Sequence, residues 1–134
     1  MAEMVGGIEV TQLASAEPTA DQAKLITLAQ GAAARVSSPM GCAVLDDQGR
    51  SYTGATVQRG LLSLDAVELA LGTAASAGAD TLTDVVVLAR LGTDQAEITH
   101  FIQLLGEFIG DGLILQVGDD SGKIGTELGL RIPQ

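Results

Sequence analysis

Pro39-Met40-Gly41-Cys42-Ala43-Val44-Leu45-Asp46-Asp47-Gln48-Gly49-Arg50-Ser51-Tyr52-Thr53-Gly54 is the stretch on which the fold turns. Residues 40–45 form an apolar run that reads as a buried strand, and the Asp-Asp-Gln-Gly cluster supplies turn residues. Residues 51–57 read as the returning strand, so the pair makes a hairpin. Upstream, Thr19 followed by Gln22 spells a capping box. Leu25, Leu28, Ala29, Ala32 and Val36 then recur at helical spacing, which predicts a helix over 19–36 that Ser37, Ser38 and Pro39 end. Residues 1–17 carry two glycines and scattered acids without a sustained period. They read as a flexible tail with at most a short extended piece at 8–10, leaving residues 18–134 as the domain.

Downstream, a second helix is predicted over 63–77, stopping at Gly78. Residues 82–89 are rich in β-branched side chains without polar alternation, as expected of a central strand covered on both faces. Thr93 or Asp94 caps a third helix whose inner face is Ile98, Phe101, Ile102, Leu105 and Phe108. Glycines at 110 and 112 break it, 113–117 make a further strand, 119–122 turn the chain, and a short segment closes it near Pro133. The glycines at 118, 122, 125 and 129 read as turns. The order αββαβαβ around one sheet predicts an α/β fold, a three-layer α/β/α sandwich with a mixed central sheet.

Composition narrows the function. Seven basic residues against seventeen acidic ones give a net charge of −10, which repels a phosphate backbone and an anionic membrane surface alike. Nucleic acid and membrane are therefore not expected partners. The apolar runs, such as 85–89, are far too short to span a bilayer, and Glu3, Glu9 and Glu17 interrupt any signal-peptide pattern, so a cytoplasmic protein is expected. Aromatic residues are 2% of the chain and tryptophan is absent, which leaves few faces for stacking bases. Cys42 is the single cysteine, so neither an internal disulfide nor a multi-cysteine metal cage can form.

Several local strings, in order, resemble the cytidine deaminase family over about residues 19–133. Pro39 to Leu45 is similar to the family's Pro-Val-Gly-Ala-Ala-Leu-Leu, and Asp47-Gln48-Gly49-Arg50 with Tyr52-Thr53-Gly54 to its Asp-Gly-Arg and Tyr-Thr-Gly run. Ala74-Ala75-Ser76-Ala77-Gly78 resembles its Ala-Val-Ser-Glu-Gly, and Leu128-Gly129 with Pro133 its Leu-Gly-Glu-Leu-Leu-Pro close. The resemblance implies a zinc ion held by one His or Cys and two Cys at two helix starts, with a glutamate as proton shuttle. Laid on those positions, the family's Cys-Ala-Glu becomes Asp65-Ala66-Val67, and its two later cysteines become Ile98 and Phe101. Valine cannot carry a proton, and Ile98 and Phe101 cannot bind a metal. Asp65 alone would hold zinc far too weakly to activate water.

The family's ribose-binding Asn-Val-Glu-Asn falls on Thr56-Val57-Gln58-Arg59, and the aromatic residue before its proline falls on Ser38. The sequence thus predicts a degenerate member with no catalytic residue, no metal and no cofactor, acting as an oligomeric binding or interaction module. The resemblance implies a homodimer or homotetramer. One alternative is a nucleoside or base sensor retaining a pocket near Thr56, Gln58 and Asp65; the other is a non-zinc hydrolase or deaminase working in the same cleft. Asp65 is otherwise expected in the first turn of its helix, where the helix dipole favours a carboxylate. His100 is expected to face solvent without a second ligand, Cys42 to be inert packing, and Asp46-Asp47 and Asp119-Asp120 to be solvated turns rather than calcium loops.

Overall fold

The computed structural model describes residues 2–14 and 16–133. Its strands and helices run β1 (Ala2–Val5), β2 (Ile8–Gln12), α1 (Ala20–Arg35), β3 (Met40–Asp46), β4 (Ser51–Ala55), β5 (Val57–Arg59), β6 (Leu62–Leu64), α2 (Ala66–Ser76), β7 (Leu82–Ala89), α3 (Gln95–Leu105), β8 (Ile109–Gly118) and β9 (Ile124–Arg131). One sheet has the order β1-β2-β9-β8-β7-β3-β4, and β5-β6 form a separate two-stranded ribbon. Among the described residues only β7 and β8 pair in parallel, with α3 in the connection between them; the remaining neighbours are antiparallel. The sheet is therefore mixed, as the sequence predicts.

Alternation along the strands builds the layers. Cys42, Val44, Val85 and Val87 lie under α2 and α3, packed with Val67, Ala70, Phe101 and Leu105. The residues between them, Ala43, Val86 and Leu88, pack with Leu25 and Ala29 of α1 on the other face. This is why residues 40–45 of β3 and 85–89 of β7 read as apolar runs: both of their faces are covered. Two glycines set the depth of the helices. A Cβ at Gly41 would lie 2.1 Å from the Ala29 carbonyl oxygen of α1, and one at Gly54 would lie 2.6 Å from backbone atoms of Ala66 and Ala70 in α2. Each helix rests directly on strand backbone there.

Helices α1, α2 and α3 each start with a complete capping box, Thr19 with Gln22, Asp65 with Glu68 and Asp94 with Glu97. Reciprocal bonds of this kind satisfy two of the orphan donors of a first turn.

Four readings of the sequence are corrected. The segment read as a tail forms the β1-β2 hairpin, with Gly6 and Gly7 at positive φ in its turn, and β2 pairs with β9. Strands of four and five residues leave little period to read, and β2 finds its second partner, β9, only at the far end of the chain. The closing segment is the eight-residue strand β9, and Gly125 and Gly129 lie inside it rather than in turns. Helix α2 begins at Ala66 instead of 63, because Leu62–Leu64 is taken up by the ribbon with β5.

Asp46 is the fourth correction, since it is 2% exposed rather than solvated. Its carboxylate accepts from the Gln48 and Arg50 backbone N–H groups at 3.0 and 2.8 Å, from Arg50 Nε at 2.9 Å and from the Tyr52 hydroxyl at 3.2 Å. Burial alone would push this carboxyl up, but those donors outweigh it and hold it below its ordinary value of 3.8. A group depressed in the folded state lends stability above its unfolded value and loses it as pH falls through the folded one. Stability is accordingly expected to fall on acidification below 3.8. Asp46→Asn should flatten that part of the profile; an unchanged profile in urea titrations across the range would refute the assignment.

Candidate functional site

The start of α2 gathers most of the residues singled out by sequence. Asp65 is its N-cap: Asp65 Oδ1 accepts from the Glu68 N–H at 2.8 Å, and Glu68 Oε1 accepts from the Asp65 N–H at 2.9 Å. Thr56 stands beside it, its hydroxyl oxygen accepting from the Ala66 N–H at 3.1 Å. Ser38 closes the same corner by donating to the Thr56 carbonyl at 2.9 Å. Thr56 and Ser38 thus hold the β4 end against the helix start. Gln58 is not brought to them; it lies exposed on β5.

Asp65 and the third helix meet. His100 Nε2 is 3.4 Å from Asp65 Oδ2, with the imidazole half exposed and Asp65 about a quarter exposed. His100 is exposed, as expected, but the contact corrects the expectation that it stands without a second ligand group beside it. Asp65, Glu68 and His100 offer donor atoms that all lie within 4.8 Å of one another. Burial is the largest influence on the Asp65 carboxyl and raises it; the Glu68 N–H opposes, the Glu68 charge adds to the rise, and His100 counters it. Sequence reading missed Glu68 and the His100 contact. A clue was present in the resemblance, which sets Asp65 and positions 98 and 101 around one site and so brings the starts of α2 and α3 together.

Beneath this polar surface the chain is hydrocarbon. Val67 is 0%, Phe101 2% and Ile98 8% exposed, all three within the main core cluster. Cys42 is also fully buried, and burial, helped by the Asp65 charge, pushes its thiol far above the usual range, so it is not a nucleophile at neutral pH. Surface cavities of 160 to 430 Å³ lie among the described residues, and none with these volumes is lined by Thr56, Gln58 or Asp65. No helix of the described residues is long and apolar enough to cross a membrane.

The fold and the sequence agree on a family. A cytidine deaminase-like family model matches residues 18–118, and the chain belongs to that family. Among solved structures it is similar to cytidine deaminase from Burkholderia pseudomallei, with 20% identity, a TM-score of 0.63, and 78% of this chain and 89% of that one covered. It is also similar to cytidine deaminase from Mycobacterium leprae, with 22% identity, a TM-score of 0.57, and 78% and 91% covered. For cytidine deaminase from Mycobacterium tuberculosis the values are 25%, 0.59, and 72% and 85%. No curated protein matches the chain in sequence.

Family membership implies zinc, and the residues can be tested against it. Zinc in such a site takes thiolate or imidazole donors from the starts of two helices. The one cysteine, Cys42, lies in β3 and is sealed in the core, and the buried side chains of α2 and α3 named above carry no donor atom. The sulfur-rich set does not fit. What is available is a different set, two carboxylates and one imidazole, with one oxygen of each carboxylate already engaged in the cap.

Proposed function

We propose that this protein is a catalytically silent cytidine deaminase-like domain that acts as a homo-oligomeric binding or interaction module. The observation that carries the reading is Val67: at the position aligned with the family's proton shuttle, a valine with no exposed surface is packed into the core. Phe101 and Ile98, aligned with two ligand positions, are buried in the same cluster. Metal binding adds folding energy in a liganded relative, and apolar packing takes over that role here. The exposed leucines 61 and 62 on the β5-β6 ribbon, with Leu91 near the end of β7, supply apolar surface of the kind subunits cover. Elemental analysis of purified protein is expected to find no stoichiometric zinc, and light scattering a mass of two or four chains. One zinc per chain, or a monomer at high concentration, defeats the respective half of the reading.

A second reading, an enzyme using non-zinc chemistry in the same cleft, is favoured by the approach of His100 to Asp65. A carboxylate that orients an imidazole is half of a general-base device. Ammonia release from cytidine, adenosine or guanine that disappears in Asp65→Ala would establish this reading. Its absence with all three substrates leaves the silent module.

A further inference from the structure

We propose a second binding site, on the opposite face of the sheet from Asp65, that takes a small organic cation carrying N–H donors, such as a guanidinium or a primary ammonium group. Helix α1 packs chiefly over β3, β4 and β7. Over β8 and β9 the same face is left to the connector that follows β2, whose Leu13 N–H donates to the Glu127 carbonyl at 2.8 Å. A cavity of about 250 Å³ remains between the connector and the sheet, with Leu13, Pro18 and Ile124 as apolar wall and Gln116 and Glu127 among its polar lining. That is below the range of drug-sized pockets, so the occupant is a small molecule or a terminal group.

Gln116 gives the cavity its chemistry. It faces Glu127 across the β8-β9 ladder and is 2% exposed. Its Nε2 donates to Glu127 Oε2 at 2.7 Å, while its buried Oε1 has no donor among the described residues. A buried acceptor without a partner is uncommon in folded proteins and points to a donor from outside the chain. Glu127 adds a second acceptor and a negative charge, and its side chain joins no salt bridge among the described residues. Among the described residues no lysine, arginine or histidine lines the cavity, within a chain of net charge −10. Two acceptors, one of them ionised, with no cation beside them, select a ligand that brings both the charge and the N–H groups. A planar guanidinium can bond the Glu127 carboxylate from the cavity and, once the Gln116 amide turns towards it, the covered Oε1 as well; an ammonium can do so with less angular constraint.

Titration of the 15N-labelled protein with methylguanidinium and with methylammonium chloride tests the site, with tetramethylammonium as a cation lacking N–H groups and methylurea as a neutral donor. Saturable shifts of the Gln116 side-chain amide and the Glu127 backbone amide are expected below roughly 50 mM for one or both N–H cations. The tighter of the two identifies the head group. Glu127→Gln should weaken binding about tenfold while leaving the spectrum folded, as expected when a charge-assisted bond becomes a neutral one. Gln116→Met, which keeps the volume and removes the acceptor, should weaken it in the same direction. The proposal is overturned if tetramethylammonium or methylurea gives equal shifts, if Glu127→Gln leaves affinity unchanged, or if no probe saturates, in which case the cavity serves only solvent.

Discussion

Val67→Glu is expected to cost about 4 kcal/mol or more at pH 7, enough to leave much of the chain unfolded at moderate temperature. Position 67 has no exposed surface and is surrounded by the core of α2, α3 and the sheet. A glutamate there would bury a carboxyl without donors and add volume to a filled space, two penalties of roughly 1–3 kcal/mol or more each. The sign of the pH dependence is fixed by the same burial. Desolvation raises the folded-state value above the unfolded one, so the folded chain binds the extra proton and the variant loses stability as pH rises from about 4 towards 7. Urea titrations at both ends of that range measure the difference against the parent. A variant within about 0.5 kcal/mol of the parent at pH 7 would mean that position 67 opens on a polar cleft, and the filled-site reading would fail.

Phe101→Ala is expected to cost about 3–5 kcal/mol and to lower the melting temperature by roughly 10 °C or more. The ring is 2% exposed and is the larger of only two phenylalanine contributions to the core, Phe108 being packed at its edge. Phe101→Leu, which retains most of the volume, should cost well under half as much. Calorimetry on the pair separates packing from any role at the surface. A loss below about 1 kcal/mol for the alanine variant would show that the ring is not filling the space assigned to it.

How legible the fold was follows from how local each signal is. Helices α1 and α3 carry their start in three or four residues, Thr19 with Gln22 and Asp94 with Glu97, and their buried faces repeat every turn. Strands β3 and β7 declare double coverage through the apolar runs at 40–45 and 85–89. The β1-β2 hairpin declares only the short extended piece at 8–10, because Ile8 and Val10 gain their place in the core from Leu128 and Leu130 at the far end of the chain. Asp65 illustrates both sides at the site. Its place at a helix start was readable from its neighbours, but its contact with His100 spans 35 positions and depends on how α2 and α3 lean together. The polar ring at the surface was therefore invisible, while the hydrocarbon beneath it was plain from residue type. Gln116 was invisible for a related reason: a lone polar residue in a strand signals an outward face, and only the sheet order shows that the connector roofs it over.

The missing side chains at 41 and 54 have a mechanical consequence. With a carbonyl of one helix and the first turn of another seated on the strand backbone from opposite sides, neither cylinder has clearance to roll or slide against the sheet. Any rearrangement that accompanies assembly or ligand capture is left to the parts outside that clamp, the short ribbon next to Leu61 among them.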